Sequence, residues 1–189
     1  MKNLTKRKNL FIFILSESIF MSGFGFLFPI LAIFIKEDVI GGNVLTASIA
    51  VTIYLLSKTI LRIPISKYCD KKKLHKEFMI IGYFMMSLVP LGYFLVQSIY
   101  QLFLIELFFA LGASIGRSGW YHLLSQNVPR GEEGSKWNAM KGYTGIGDAI
   151  AATLGGVLVT FVGFHITFII VSIFGILSTI LLTKVKVQR

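Results

Sequence analysis

Residues 58–76 read KTILRIPISKYCDKKKLHK, and the fold turns on how this stretch is read. One long apolar run leads into it and another leads out. Between them Lys67, Lys71, Lys72 and Lys73 crowd a turn, with Asp70 among them and Lys76 just beyond. Two apolar runs joined by a short basic turn are the pattern of membrane helices with a cytoplasmic connection, because the lysine and arginine bias of short loops sets orientation. Lys58 and Arg62 lie upstream, inside the apolar run, where charge is expensive.

The rest of the chain agrees with a membrane reading. Of 189 residues, 54% are hydrophobic, and mean hydropathy is +0.74. A soluble domain of this length seldom reaches such values. The net charge of +10 would raise the question of nucleic acid in a soluble protein. Here the basic residues gather in short turns between apolar runs, so they serve orientation in the bilayer and contact with anionic lipid, and no nucleic-acid partner is expected. Cys69 is the single cysteine, which excludes an internal disulfide and a cysteine-based metal cluster. Neither a metal site nor a cofactor is expected. Cys69 is also a natural reporter for which side of the membrane the basic turn occupies. The opening MKNLTKRK precedes an apolar run about twice the length of a signal-peptide core and without a small-residue cleavage site, so it reads as a retained first helix.

The apolar runs place six spans at roughly 10–35, 44–66, 78–96, 99–124, 137–162 and 164–182, an all-α transmembrane domain covering 1–189. The fifth is rich in small residues, with Gly142, Gly145, Gly147, Ala151, Gly155 and Gly156, which permits close packing against a neighbouring helix. The basic residues alternate with the spans. Lys2, Lys6, Arg7 and Lys8 fall on one side with the basic turn, with Arg130 and Lys136, and with Lys184, Lys186 and Arg189 of the tail; only Lys36 falls on the other. That asymmetry predicts a multi-pass protein of the cell membrane with both termini cytoplasmic.

Several charges lie inside the spans. Glu17 is in the first, Lys58 and Arg62 share a face of the second, Glu106 and Arg117 are in the fourth and Asp148 is in the fifth. Each costs about 2.5–3.5 kcal/mol at mid-membrane unless it finds a partner or water. As structural devices they would be ion pairs stapling helices together, or side chains snorkelling to the interface, and for Arg62 and Arg117 that reading stands level with a functional one. Glu17, Lys58 and Asp148, at similar depth on three helices, point to function. They are expected to meet, with Lys58 between two carboxylates whose pairing switches between two states of the bundle. The third and sixth spans carry no charge and are expected at the periphery. Glu17 lies six residues before Gly23 and Glu106 six before Gly112, on helices that start from opposite sides, as an inverted three-plus-three repeat would produce.

With these residues in view, the chain resembles one six-helix half of a major facilitator superfamily transporter. The family's loop after the second helix follows Gly-x-Leu-Ala-Asp-(Arg/Lys)-x-Gly-(Arg/Lys). Here Asp70 and Lys71 match, Ser66, Tyr68 and Cys69 replace Gly, Leu and Ala, and Lys73 stands at the second glycine. The segment NVPRGEEG at 127–134 is similar to the family's Pro/Arg-Gly loop before a glycine-rich fifth helix. The fifth helix lacks the Gly-Pro of drug antiporters, and Glu106 stands where many members have arginine. The resemblance implies nested inverted three-helix repeats and transport of a small solute by alternating access. It also implies a second bundle, supplied by another copy of this chain or by a different half-transporter. The rival readings are a non-transporting membrane subunit and, through Gly116-Arg117-Ser118-Gly119, an intramembrane serine protease. The latter would take its histidine from His165, which the topology puts on the opposite side of the bilayer from Ser118, or from His122, one turn from Ser118 but without a buried carboxylate to orient it.

Overall fold

The computed structural model describes residues 2–129 and 131–186; Arg130 and Arg189, counted above among the basic residues of one side, lie outside the described residues. Four helices come first: α1 (Lys2–Asp38), α2 (Val44–Lys72), α3 (His75–Leu95) and α4 (Ile99–Asn127). A helical stretch of 51 residues, Glu133–Thr183, follows. At about 1.5 Å per residue it is more than twice the thickness of a bilayer core, so it cannot be one span. It is broken at Gly163, whose φ of 79° and ψ of 172° only glycine adopts readily, into α5 (133–162) and α6 (164–183). The architecture is therefore all-helical, and the helices are long and apolar enough to cross a membrane. Among the described residues the only extended pairing is the bridge between Ile40 and Ser98, which ties the α1–α2 connection to the α3–α4 turn.

Local chemistry sets the helix ends. The Asn43 side chain accepts from the Thr46 backbone N–H at 2.9 Å and starts α2. Gln101 Oε1 accepts from the backbone N–H groups of Gln97 (2.8 Å) and Ser98 (3.3 Å) and starts α4. Lys73 ends α2 in the left-handed region, at φ 56° and ψ 33°. That conformation explains the glycine of the family pattern at this position: it is the left-handed cap of the helix.

The spans expected from apolarity are too short at the basic end. α1 begins at Lys2, α2 continues past Ser66 to Lys72, and α5 begins at residue 133. Apolar composition marks where lipid ends, whereas the backbone ladder continues as long as residues of fair helix propensity follow. Ser66, Asp70 and Lys71, expected in a loop, therefore lie on the last turns of α2.

α1 packs against α5 and α6, α4 packs against α2 and α3, and α3 packs against α6. Glycine sets two of the separations. A Cβ on Gly82 of α3 would collide with the Gly116 nitrogen of α4, and one on Gly155 of α5 would collide with the Phe26 carbonyl of α1. A hydroxyl seam joins α3 and α6, where Ser172 Oγ donates to the Ser87 carbonyl at 2.7 Å and the Ser87 and Thr179 hydroxyls meet at 3.3 Å; Ser178 Oγ of α6 donates separately to the Ser16 carbonyl of α1 at 2.8 Å. Asn9 holds the basic end, donating to Asn127 Oδ1 (2.9 Å) and the Lys186 carbonyl (2.8 Å) and accepting from the Lys186 N–H (3.1 Å).

Burial does not single out the third and sixth helices as peripheral within this bundle: α6 exposes Ile166, Ile173, Leu177 and Ile180, but other helices present apolar faces as well. α3 buries Met79, Tyr83, Met86, Val89 and Tyr93, while α2 exposes Leu55, Leu56, Ile60 and Ile63, and α5 exposes Ile146, Ile150, Leu154 and Phe161. An uncharged helix suits a protein neighbour as well as lipid, because both are apolar. Lack of charge therefore does not locate the lipid face.

Candidate functional site

A cavity of about 240 Å³ opens where α1, α2, α4 and α5 come together. Its first wall is a run of stacked rings crossing three helices. Phe20 stacks on Phe24 of the same helix (4.6 Å between centroids), Phe24 on Phe109 of α4 (5.4 Å) and Phe109 on Tyr54 of α2 (4.4 Å). The second wall is Trp120 and Tyr121 of α4 with Trp137 of α5, the Tyr121 and Trp137 rings lying near parallel at 6.1 Å. Such rings bury much surface at little entropic cost and hold their positions.

Four cations line the same space: Lys58, Arg62, Arg117 and Lys141. Arg117 is matched. Its Nη1 donates to Glu17 Oε1 at 2.7 Å, and Tyr83 OH donates to Glu17 Oε2 at 2.6 Å, so Glu17 joins α1 to α4 and α3. The guanidinium also lies over the Trp120 and Tyr83 rings, at 5.2 and 5.6 Å. The other three have no carboxylate within 4.0 Å among the described residues. Lys58 Nζ rests 4.3 Å from the centre of the Tyr54 ring and Arg62 lies 5.8 Å from that of Tyr121. The buried indole N–H of Trp120, on the cavity wall, has no acceptor.

The expected meeting of Glu17, Lys58 and Asp148 does not occur. Arg117 takes Glu17, because residue 117 is on a helix that crosses α1 at that depth, and Lys58 turns to an aromatic face. Asp148 instead abuts α1, where a Cβ on Gly25 would come within 3.4 Å of its Cα, and its Oδ1 is buried without a hydrogen-bond partner. Glu106 is separate again: it is buried and accepts from Tyr93 OH at 2.6 Å, which satisfies it between α4 and α3. Of the six charges expected from the sequence to serve substrate or ion coupling, Lys58, Arg62 and Arg117 line the cavity, and Glu17, Asp148 and Glu106 do not. Sequence reasoning missed Lys141 and both aromatic walls; no helix-by-helix pattern shows that rings on three helices stack.

The basic end holds a second cluster. Asp70, His75 and His122 each bring a ligand-type atom within 4.8 Å of the others, and Cys69 Sγ lies 3.4 Å from His75 Nδ1. Cys69 is fully buried, so it is not the accessible reporter expected of a cysteine in a basic turn, and the His75 side chain is only 13% exposed. The two imidazoles stack at 3.5 Å with planes 7° apart. Their in-plane lone pairs therefore run side by side rather than converge, which suits separate hydrogen bonds, His75 with Cys69 and His122 with Gln126, better than a shared tetrahedral ion. Ser118, of the protease-like motif, donates its hydroxyl to the Ser114 carbonyl at 2.7 Å, and His165 packs edge-on against Phe94 at 5.0 Å.

No curated protein sequence matches the chain. The family model described as Major Facilitator Superfamily matches residues 13–188 and so takes in every helix of the bundle. That match agrees with membrane-crossing helices gathered around a charged, aromatic cavity: the chain belongs to the major facilitator superfamily, a family of membrane transporters.

Proposed function

We propose that the protein is a half-size secondary transporter that moves a small solute across the cell membrane by alternating access. In this reading 1–189 is a single six-helix domain. A second copy, related by a two-fold axis along the membrane normal, supplies the facing bundle, and both termini are cytoplasmic. The observation that carries the proposal is the cavity itself. It is bounded by four helices and lined by the costly charges Lys58, Arg62 and Arg117, and charges held at membrane depth mark solute paths. α2 and α5, which flank it, expose apolar side chains that suit a protein partner or lipid. Along α5, Gly147 and Gly155 meet α1, whereas Gly142, Gly145 and Gly156 meet nothing and would admit a close-packed helix.

The packing also supports nested inverted repeats. Exchanging the first three helices for the last three turns the α1 contacts with α5 and α6 into the α4 contacts with α2 and α3. The paired glycines follow: Gly23 meets Phe174 of α6, and Gly112 meets Met85 of α3. Glu17 and Glu106 are then the corresponding acids, and the coupling set is Glu17, Arg117, Lys58 and Arg62, with Asp148 and Glu106 behind the cavity.

Native mass spectrometry in nanodiscs, together with solute flux in liposomes, tests the proposal. A two-copy species with saturable flux is expected. A monomer that transports would overturn the dimer. A stable dimer with no flux across a broad solute panel would overturn transport in favour of a membrane subunit.

A further inference from the structure

We infer that the solute is an organic anion with a flat apolar or aromatic body. The inference rests on the transport reading for its role, but the binding it specifies can be measured without flux. Charge is the first argument. Lys58 lies eight residues, about 12 Å along the helix axis, inside the apolar run that ends near Ser66, so its ammonium starts well within the membrane. A cation there needs a counter-charge. Glu17 already serves Arg117, and neither Glu106 nor Asp148 lines the cavity. A two-fold partner would bring a second Lys58, Arg62 and Lys141 and so deepen the excess. The missing negative charge therefore falls to whatever the cavity binds.

Hydrogen bonding gives the same sign. Among the described residues the unmatched charged groups at the cavity are all donors, the Lys58 ammonium, the Arg62 guanidinium and the Lys141 ammonium, and the buried indole N–H of Trp120 is a fourth, while the Tyr54 and Tyr121 hydroxyls can serve either way. A carboxylate, sulfonate or phosphate offers acceptors only, and its bonds to cations are of the stronger kind. The walls then specify the body. The stacked run from Phe20 to Tyr54 faces a space also bounded by Trp120 and Trp137, and flat rings accept flat ligands. An anionic lipid headgroup shares the charge but not the flat body.

Trp120 and Trp137 are the protein's only tryptophans, and both line the cavity, so binding reports itself in fluorescence. The probes are 4-nitrobenzoate, the neutral 4-nitrobenzamide and the cationic 4-nitrobenzylammonium, each a quencher of the same shape. In phosphatidylcholine nanodiscs the carboxylate should quench saturably and bind about tenfold or more tighter than the amide, with the ammonium weakest. Lys58→Gln and Arg62→Gln should each weaken the carboxylate about tenfold and leave the amide unchanged, while Lys58→Arg retains binding. Equal affinity for carboxylate and amide, or preference for the ammonium, would overturn the inference. So would carboxylate binding indifferent to both glutamine variants. Competition by phosphatidylglycerol in the discs would assign the site to a lipid headgroup and overturn a soluble solute. Selective carboxylate binding without flux would uphold the anion site and count against transport alone.

Discussion

Glu17 shows what a single residue does at membrane depth. It accepts from Arg117 and from Tyr83, so a side chain on α1 is held by two other helices. Removing its charge strands the guanidinium, a loss of about 3–5 kcal/mol for a buried pair. Glu17→Gln should accordingly lower the melting temperature and the yield of folded protein, and Glu17→Gln with Arg117→Gln should recover part of the loss. A double-mutant cycle in thermal unfolding measures this; additive losses would show that the pair is not a staple. Asp148 is the opposite case, a carboxyl oxygen buried without a partner. Asp148→Asn should leave the fold intact or raise stability by about 1 kcal/mol, since it removes an uncompensated charge. A fall in flux in that stable variant would place Asp148 in coupling. Lys73 is strained for a different reason, its left-handed backbone. Lys73→Gly should stabilise by about 1 kcal/mol in thermal unfolding, because glycine carries no Cβ penalty there.

At the scale of the helix, separation is set by a few absent side chains. α3 and α4 meet at Gly82, where a methyl group would fall against the backbone of Gly116 and the Gly112 carbonyl. Neither obstacle can rotate away. Gly82→Ala should therefore push the helices apart and destabilise by about 1–3 kcal/mol, read as a drop in melting temperature. Gly142→Ala, on the open face of α5, is the control and should be neutral in the isolated chain. The same comparison tests the partner: if Gly142→Ala weakens the dimer without touching monomer stability, the open small residues of α5 face the second copy.

For the whole molecule the first question is sidedness. The single cysteine is a poor reporter, since Cys69 is fully buried against His75. Tyr68, one residue earlier, is 52% exposed. With Cys69→Ser in place, Tyr68→Cys should react with a membrane-impermeant thiol reagent in inside-out vesicles and remain unlabelled in intact cells. Labelling of intact cells would invert the proposed orientation.

The helices were legible in the sequence because each is a local matter: a long apolar run, a basic turn and a glycine or asparagine at an end suffice to predict it. The family resemblance was legible for the same reason, since Asp70, Lys71 and the NVPRGEEG segment are contiguous. Three of the four cations of the cavity, Lys58, Arg62 and Arg117, could be named one by one, because charge inside an apolar run is conspicuous; Lys141, near the start of its helix, could not. Nor could their partners. Whether Glu17 meets Lys58 or Arg117 depends on how three helices cross, and spacing along one helix carries no record of crossing angle. The aromatic walls, the hydroxyl seam of α3 and α6 and the burial of Cys69 belong to the same class. Each joins residues far apart in the chain, through contacts that exist only once the helices are packed.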